Sequence, residues 1–526
     1  MKKNKTDLTN LIIKDKNGRR FLVKIFYSRV ILSFFLIALQ ISIFILFCVR
    51  LNPHIEYYYG TSIGLSAIFM IYLSNSRGRN EFKITWLLPL VIFPLFGVSA
   101  YLMYHGNYGG RYYRKRMNKI NDKLKDFYPP EEGFSKLLEK AEIEDLGKYL
   151  LRVGKFYPYQ NNQLEYFESG EVFFDELCRS LEKAKSFIFL EFFIIGVDES
   201  WNKILRILEK KVKEGVKVRI IYDGIGSVAA AQSSYQKYLE SKGIEAHVFL
   251  PVIPFFSTQI NNRDHRKIVL IDSEIAFTGG LNLSNEYFNY GKNRFAYWKD
   301  NAIKISGPAA VSFTRMFLQT WNLQSKKEED FAYFLHGGQK TYESKGLVIP
   351  YADDAFNEID IAENVYLYLI NHAKKSLDIT TPYLLIDDHL LTDLIFAVQR
   401  GVRVRIAVPS IPDHFTTFCI GKTFQYDLMK NGVEIYEYQK GFIHSKTFVC
   451  DGKIATIGSI NLDYRSLYHH FECGCLLYKN DVVKEMQEDF NQIVKDSSLM
   501  TCESYKKSPA IRKFAGRALR IFAPLF

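Results

Sequence analysis

The chain has 526 residues and a formal net charge of +12, which is long enough for two or three domains and indicates an acidic partner. The seven cysteines form no C-x-x-C pair and no paired framework, which excludes a disulfide scaffold and favours a reducing compartment. Charge alone does not distinguish nucleic acid from an anionic membrane surface as that partner.

The N-terminal part favours a membrane. Residues 1–29 are basic, and residues 30–49 then carry no charge over about 20 positions, which is sufficient to cross a bilayer. No small-residue cleavage site follows, so we interpret this segment as an anchor and not as a removed signal peptide. Further apolar segments at about 57–73 and 84–104 extend the predicted membrane region to residues 30–110; buried core helices are the alternative for the second segment.

Basic residues on both sides of the third segment set the expected orientation. They occur within 77–83 and again within 111–116, and the positive-inside bias assigns both groups to the cytoplasm. Pro89 and Pro94 indicate that this segment is kinked or re-entrant. We therefore expect a multi-pass membrane protein whose remaining domains lie on the cytoplasmic face.

The most informative stretch is HRKIVLIDSEIAFTGGLN, residues 265–282. Its apolar runs predict two strands joined by a turn. His265 and Lys267 are two positions apart, so their side chains leave the same face of the chain. Two glycines could allow the backbone to turn and bring Asn282 back towards that face, while Asp272 lies at the turn.

The same spacing recurs in HSKTFVCDGKIATIGSIN, residues 444–461. His444, Lys446, Asp451 and Asn461 stand at the offsets of the first copy. A lone histidine in a strand is more often structural than catalytic, but two copies of the whole pattern indicate an internal duplication.

Landmarks upstream of the two motifs recur as well. AKSFIFLEFF resembles AKKSLDITTPYL, and EGVKVRII resembles RGVRVRIA. Each half alternates strands with helices and ends in the motif hairpin, which predicts an α/β fold with a mixed sheet, built twice. We expect the repeats at residues 150–330 and 340–526, packed about a pseudo-two-fold axis.

The C-terminal end, residues 511–526, is predicted to be amphipathic. A basic side can lie in a lipid interface, although packing of this helix on the domain is an equal alternative. The basic side has Lys513, Arg517 and Arg520, and the apolar side has Phe514, Ala518, Ile521, Phe522 and Leu525.

If the halves meet at their motifs, one cleft holds two histidines, two lysines and two asparagines, a set suited to a phosphodiester. The lysines supply positive charge to the non-bridging oxygens, and the amides of Asn282 and Asn461 donate hydrogen bonds. One histidine can attack phosphorus while the other protonates the departing oxygen. We expect no metal and no cofactor, since the sequence has no evident Mg²⁺ carboxylate cluster and no H-E-x-x-H pattern.

Each histidine also needs a carboxylate that sets its tautomer. Asp300 and Glu472 occupy corresponding places before the final strand of each half, and they are the candidates. Asp272 and Asp451 are further candidates for catalysis, with a purely structural role in the turns as the alternative.

The paired H-x-K-x4-D-x6-G-[GS]-x-N motifs resemble the phospholipase D superfamily. FTGGLN, IGSINLDYRSLYHHFE and the RIFAPLF ending are similar to bacterial cardiolipin synthases in particular. This resemblance implies transfer of a phosphatidyl group from one phosphatidylglycerol to another, releasing glycerol, and it favours the first motif as the source of the nucleophile. The apparent third apolar segment departs from the more usual two.

The sequence is compatible with three alternatives. A membrane-bound phospholipase D would use the same residues with water as the acceptor. A phosphodiesterase acting on nucleic acid also fits the motif and the charge, but the membrane anchor disfavours it. An inactive membrane scaffold would not require two intact motifs. Phosphatidylglycerol and other anionic membrane lipids are therefore the expected partners, with no nucleic acid.

Overall fold

The computed structural model describes residues 38–43, 45–46, 55–76, 78–105, 108–227, 233–251, 262–291, 293–325, 329, 331–335, 337–356 and 359–526. Two compact units divide the chain. One is formed mainly by residues up to 110, and the other by residues 111–251 and 261–526. The predicted basic segment 1–29 and most of segment 30–49 lie outside the described residues.

The N-terminal unit contains three apolar helices, α1 (Ile55–Asn75), α2 (Asn80–Ile92) and α3 (Pro94–His105). The second predicted apolar segment lies in α1. The third is divided at Phe93, between α2 and α3, next to Pro94. Within the described ranges, no helix combines the length and the apolar character that a membrane crossing requires.

The larger unit begins with helices and then contains the first half of the duplication. The elements, in chain order, are α4 (Tyr108–Leu124), α5 (Glu131–Leu138), α6 (Glu144–Gly154), β1 (Gln163–Phe167), α7 (Gly170–Glu182), β2 (Phe187–Phe192), α8 (Glu199–Lys213), β3 (Lys217–Asp223), α9 (Ser233–Ser241), β4 (Glu245–Phe249), β5 (Lys267–Ile271), β6 (Ile275–Gly279), β7 (Tyr297–Lys299), β8 (Ala302–Ser306), α10 (Ala310–Gln324) and α11 (Phe331–Leu335).

The second half repeats this plan. Its elements are β9 (Leu347–Asp353), α12 (Ile361–His372), β10 (Ser376–Thr380), α13 (Asp388–Gln399), β11 (Arg403–Pro409), α14 (Phe415–Lys430), β12 (Glu434–Tyr438), β13 (Gly441–Ile443), β14 (Thr447–Cys450), β15 (Ile454–Gly458), α15 (Tyr464–Tyr468), β16 (Glu472–Tyr478), α16 (Val482–Lys495), β17 (Ser497–Leu499), α17 (Cys502–Lys507) and α18 (Ala510–Leu519).

Each half has its own mixed sheet. The first has the order β1-β8-β6-β5-β2-β3-β4, and the second has the order β17-β12-β11-β10-β14-β15-β16-β9. In both, three strands are parallel, β2-β3-β4 and β10-β11-β12, and the motif strands β5 and β14 pair antiparallel to β2 and β10. This confirms the prediction of an α/β fold with mixed sheets built twice.

The strands form because their side chains can be buried on both faces. Every residue of β2, β5 and β16 is buried, as is expected for apolar runs in the middle of a sheet covered on both sides. Helix α10 packs on β4, β5 and β6 of the first sheet and on β9 of the second. One apolar core therefore includes side chains from both halves, among them Phe189, Phe317 and Ile457.

Backbone pairing also joins the two halves directly. Strands β13 and β7 form a two-stranded parallel sheet, in which Ile443 pairs with Lys299. Asp264 forms an isolated parallel bridge with Phe471. The residues just before each H-x-K motif are thereby tied to the other half.

The two motif hairpins turn at aspartates. Asp272 and Asp451 have φ values of 56° and 52°, in the left-handed region that Asp and Asn tolerate better than most residues. The carboxylate of Asp272 accepts hydrogen bonds of 2.7–2.8 Å from the backbone N–H groups of residues 185–187. Asp451 accepts bonds of 2.7–2.9 Å from residues 374–376. These side chains therefore anchor the hairpin turns to the start of the neighbouring strands.

The C-terminal segment packs on the domain, as one of the two predicted alternatives has it. Helix α18 packs closely on α14. A Cβ added at Gly516 would collide with the carbonyl oxygen of Cys419. Ile511 and Phe514 are nevertheless 69% and 71% exposed. Part of the helix is thus packed on the domain while its apolar residues remain accessible.

Replacing Asp451 by asparagine should lower the free energy of unfolding by about 1–3 kcal/mol, because a neutral amide oxygen replaces a charged acceptor of three backbone N–H groups. Asparagine keeps the tolerance for the left-handed conformation, so the change isolates the hydrogen bonds. Thermal denaturation of the full chain would measure the shift. Asp175→Asn is the matched control, since its carboxylate is 71% exposed. Equal midpoints for the two variants would contradict this role of Asp451.

Candidate active site

The two motifs meet in one buried cluster. His265 lies just before β5, and its Nδ1 is 2.8 Å from Oε1 of Glu472, the first residue of β16. His444 lies just before β14, and its Nδ1 is 2.7 Å from Oδ2 of Asp300. The predicted carboxylates therefore do contact the histidines, but each histidine is bound by the carboxylate of the other half.

Backbone pairing between the halves explains this exchange. The N–H of His265 donates to the carbonyl oxygen of Phe471 at 2.9 Å, next to Glu472. The N–H of His444 donates to the carbonyl oxygen of Lys299 at 2.7 Å, next to Asp300. Each histidine is thus held beside the residue that precedes the opposite carboxylate.

The contacts determine which ring nitrogen is available for chemistry. A carboxylate only accepts hydrogen bonds, so Nδ1 of His265 carries the hydrogen in the neutral ring. Asp300 favours the same tautomer of His444, whereas Lys446 Nζ, 2.8 Å from the same Nδ1, opposes it. We assign the tautomer that Asp300 favours. The Nε2 atoms then keep their lone pairs. Two imidazoles oriented in this way can serve as a nucleophile and a general base.

The two carboxylates are supported differently. Glu472 also accepts a hydrogen bond from the hydroxyl of Ser459. Asp300 accepts a bond of 2.9 Å from the backbone N–H of Asn301. Gly280 stands where Ser459 stands in the second half, and a Cβ added there would collide with the carboxylate of Asp300. Because Gly280 has no side chain, the carboxylate of Asp300 has space there.

Both lysines are buried beside the histidines. Lys267 Nζ donates to the carbonyl oxygen of His265 at 2.6 Å. Lys446 Nζ donates to the carbonyl oxygen of His444 and lies 2.8 Å from its Nδ1. Burial lowers the pKa of Lys267 to about 8 and that of Lys446 to about 7, although the carboxylates oppose the shift. The charge of Lys267 also lowers the pKa of both His444 and Lys446, which shows how closely the motifs meet.

The histidines are neutral near pH 7. Burial lowers the pKa of His265 to about 3 and that of His444 to about 4, and the neighbouring lysines act in the same direction. Burial opposes ionisation of Glu472, but its pairing with His265 holds the pKa of this carboxyl below its usual range. The site therefore offers neutral imidazoles next to an ionised carboxylate.

Aromatic rings pack against the imidazoles. The ring centroid of Phe193 is 5.0 Å from that of His265. Those of Trp298 and Tyr287 are 5.0 and 5.7 Å from that of His444. These contacts limit rotation of the imidazoles, and the sequence motifs did not indicate them.

The predicted asparagines are buried. The side-chain oxygen of Asn282 accepts a hydrogen bond of 3.1 Å from the N–H of Ile194. The side-chain oxygen of Asn461 has no hydrogen-bond partner in the parts of the chain that the structure describes.

The hairpin aspartates are not part of the cluster. Asp272 and Asp451 lie at the opposite ends of the motif strands from the histidines, where their carboxylates are occupied by backbone N–H groups. These contacts favour the alternative that we predicted for both aspartates, a structural role in the turns, because a turn at the far end of a strand is distant from the residues that begin it.

His470 is a site residue that the sequence analysis missed. Its ring centroid is 5.6 Å from that of His265, and its Nδ1 is 3.6 Å from Oε1 of Glu472. Ligand atoms of His265, His470 and Glu472 all lie within 4.8 Å of one another, so these are the described residues that could hold a metal ion. The available signal was the HHFE sequence, in which His470 lies two positions before Glu472.

Comparison with known proteins agrees with this geometry. The family model for the phospholipase D-like domain of cardiolipin synthase matches twice, at residues 177–321 and 366–494. A crystal structure of phosphatidylserine synthase from Haemophilus influenzae Rd KW20 shares the fold, with a TM-score of 0.54 and 16% identity. The match covers 70% of this chain and 94% of that chain.

Relatives match along most of the sequence. A Streptococcus mutans protein is 40% identical over 458 residues, which cover 87% of this chain and 99% of its own. Cardiolipin synthases of Geobacillus sp. (strain WCH70) and Listeria welshimeri are 34% and 32% identical, and the matches cover 88% and 84% of this chain and 93% and 92% of theirs. Since the family model matches both copies of the motif and these relatives match most of the chain, the chain belongs to the phospholipase D-like cardiolipin synthase family of phosphatidyltransferases.

Proposed function

We propose that this enzyme makes cardiolipin by transferring a phosphatidyl group from one phosphatidylglycerol to a second one, with release of glycerol. The observation that carries the proposal is the pair of histidines, each with Nδ1 bound to a carboxylate and Nε2 left for the substrate. The names of the related cardiolipin synthases support the choice of lipid.

In the first step, Nε2 of His265 attacks phosphorus, and the bond between phosphorus and the glycerol oxygen breaks. His444 donates the proton that this oxygen needs to leave as an alcohol. The product is a phosphatidyl group bound to His265, and Glu472 stabilises the positive charge that forms on the ring.

In the second step, neutral His444 accepts the proton from the terminal hydroxyl of another phosphatidylglycerol. The hydroxyl oxygen attacks phosphorus, the bond between phosphorus and His265 breaks, and cardiolipin leaves. Asp300 stabilises the imidazolium that His444 becomes in this step. The proton that His444 gave to glycerol is thereby recovered.

Burial and the charge of Lys446 lower the pKa of His444 and favour its neutral ring. A phosphodiester brings a negative charge into the cluster and favours the protonated ring, so substrate binding itself prepares the acid. Lys267 and Lys446 place positive charge beside the phosphate oxygens. The oxygen of Asn282 accepts from Ile194, and its amide also bonds Tyr287. We assign the remaining amide N–H of Asn282 to the phosphate, with the amide N–H groups of Asn461 in the same role.

We also propose that the enzyme is a multi-pass membrane protein with its catalytic repeats, residues 150–330 and 340–526, on the cytoplasmic face. Apolar side chains on the outside of the N-terminal unit support contact with lipid, since large exposed apolar patches mark interaction surfaces. They include Ile63, Ile68, Ile71, Val91 and Leu102, each 57–67% exposed. Exposed Ile511 and Phe514 support contact of the catalytic unit with lipid.

Detergent-solubilised enzyme given phosphatidylglycerol alone should produce cardiolipin and free glycerol in equal amounts, because one glycerol leaves for each phosphatidyl group transferred. Mass spectrometry of the lipids and an enzymatic glycerol assay would measure both. Phosphatidic acid as the main product would identify a hydrolase, and cleavage of DNA without lipid turnover would identify a nuclease. Cardiolipin formed only when phosphatidylethanolamine is added would change the proposed second substrate.

The pH profile of kcat/KM should fall above about pH 7, because Lys446 loses its proton there and no longer attracts the phosphate. The groups that act on this lysine are Asp300, Lys267, Glu472 and Asp463. Lys446→Arg should move this alkaline limb up to about pH 8, where Lys267 loses its proton, since a guanidinium stays protonated. Lys183→Arg on the surface should leave the limb unchanged. An alkaline limb at the same pH in all three enzymes would rule out titration of Lys446 as its origin.

Replacing either histidine by alanine should reduce lipid turnover by about 100- to 10,000-fold, since both act in the same step. A p-nitrophenyl phosphodiester separates their roles, because its leaving group needs no proton. We expect His444→Ala to release one burst of nitrophenolate and to retain an acid-labile phosphoryl group on His265. His265→Ala should show neither; the reverse pattern would exchange the two roles.

A further inference from the structure

His470 occupies a buried position without a visible structural purpose. Its side chain is only 10% exposed, yet neither ring nitrogen has a hydrogen-bond partner among the described residues. Leaving buried polar atoms unpaired costs about 1–3 kcal/mol, so such atoms call for an explanation. Its Nδ1 lies 3.6 Å from Oε1 of Glu472.

The spacing around Glu472 fits a metal ion better than it fits direct hydrogen bonds to both imidazoles. Two ligands on a tetrahedral ion with bonds of about 2.0–2.2 Å are separated by roughly 3.3–3.5 Å. Glu472 Oε1 lies 2.8 Å from Nδ1 of His265 and 3.6 Å from Nδ1 of His470, on either side of that value. Shifts of a few tenths of an ångström would therefore complete the coordination.

The donor atoms indicate which class of metal would bind. Two imidazole nitrogens and one carboxylate oxygen suit Zn²⁺ and neighbouring transition metals, and water can take a fourth position. Mg²⁺ and Ca²⁺ prefer oxygen ligands alone, so they are disfavoured. We propose that His265, His470 and Glu472 form a Zn²⁺ site inside the catalytic cluster.

Metal binding would switch the enzyme off. The neutral His265 ring carries its hydrogen on Nδ1, where it donates to Glu472. Zn²⁺ on Nδ1 moves that hydrogen to Nε2, so no proton leaves the ring but the lone pair that attacks phosphorus is lost. Glu472 is bound to the metal at the same time. This inhibition rests on the proposed function, whereas metal binding does not.

The binding test uses the full-length enzyme in detergent after removal of metals with a chelator. Titration with Co²⁺ should produce the visible absorption bands of a four- or five-coordinate ion at one equivalent per chain, and Zn²⁺ should abolish them. His470→Asn should weaken Co²⁺ binding by at least about 10-fold, because one ligand is lost. His469→Asn, at the neighbouring position, is the matched control and should bind as the unmodified enzyme does.

No absorption bands, or equal bands in both asparagine variants, would overturn the site. Thermal denaturation of the metal-free variants establishes that each is folded, and an elevated midpoint with Zn²⁺ in the unmodified enzyme but not in His470→Asn gives a second binding measurement.

The functional test compares lipid turnover with and without Zn²⁺ for each enzyme. We expect Zn²⁺ to inhibit the unmodified enzyme and His469→Asn, and to inhibit His470→Asn at least about 10-fold less sensitively. Equal sensitivity of the two variants would overturn the inhibitory role. Co²⁺ binding together with no lipid turnover by the metal-free enzyme would overturn the proposed function and leave the metal site standing.

Discussion

The structure of the catalytic unit depends on two hydrogen bonds that cross between its halves. His265 is bound by Glu472, and His444 is bound by Asp300. All four side chains are buried, and a buried carboxylate is costly unless a partner compensates for the lost water. Each half supplies the partner that the other half needs, so neither half contains a complete site.

The rest of the fold maintains this exchange. Strands β7 and β13, and the bridge between Asp264 and Phe471, place the chain before each histidine beside the chain before the opposite carboxylate. Helix α10 packs on both sheets, which keeps them in one core. The hairpin aspartates fix the far ends of the motif strands. The scaffold therefore holds each histidine within hydrogen-bonding distance of a carboxylate that is far away in the sequence.

The two crossed pairs have diverged within the same plan. Glu472 is paired with Ser459, whereas the shorter Asp300 is paired with Gly280, which has no side chain to collide with it. The residue two positions before the carboxylate is His470 in one half and Trp298 in the other. Both rings lie against the histidine of the opposite half, at 5.6 and 5.0 Å between centroids. The same position of the duplication thus provides an aromatic packing contact in the first half, Trp298, and the proposed metal ligand in the second half, His470.

Much of this could be predicted from the sequence, because duplication and strand alternation leave local patterns. The H-x-K spacing predicted both histidines and lysines, and the place of Asp300 and Glu472 before a final strand predicted the carboxylates. The crossing could not be predicted, since local patterns do not specify which half a side chain will reach. For Asp272 and Asp451 the sequence left two roles open, because an offset repeated in both copies can serve a turn as well as a reaction. The position that corresponds to His470 in the first half is Trp298, which is not a histidine. Repetition between the halves therefore did not indicate His470.

The crossed pairing can be tested by comparing the activity of each carboxylate variant with the activities of the two histidine variants. With a p-nitrophenyl phosphodiester, the burst of nitrophenolate and the acid-labile phosphoryl group would be measured for Asp300→Asn and Glu472→Gln beside the two histidine variants. The account predicts that Asp300→Asn behaves like His444→Ala and that Glu472→Gln behaves like His265→Ala, whichever histidine is the nucleophile. Asp300→Asn behaving like His265→Ala, with Glu472→Gln behaving like His444→Ala, would show that each carboxylate serves its own half and would contradict the account.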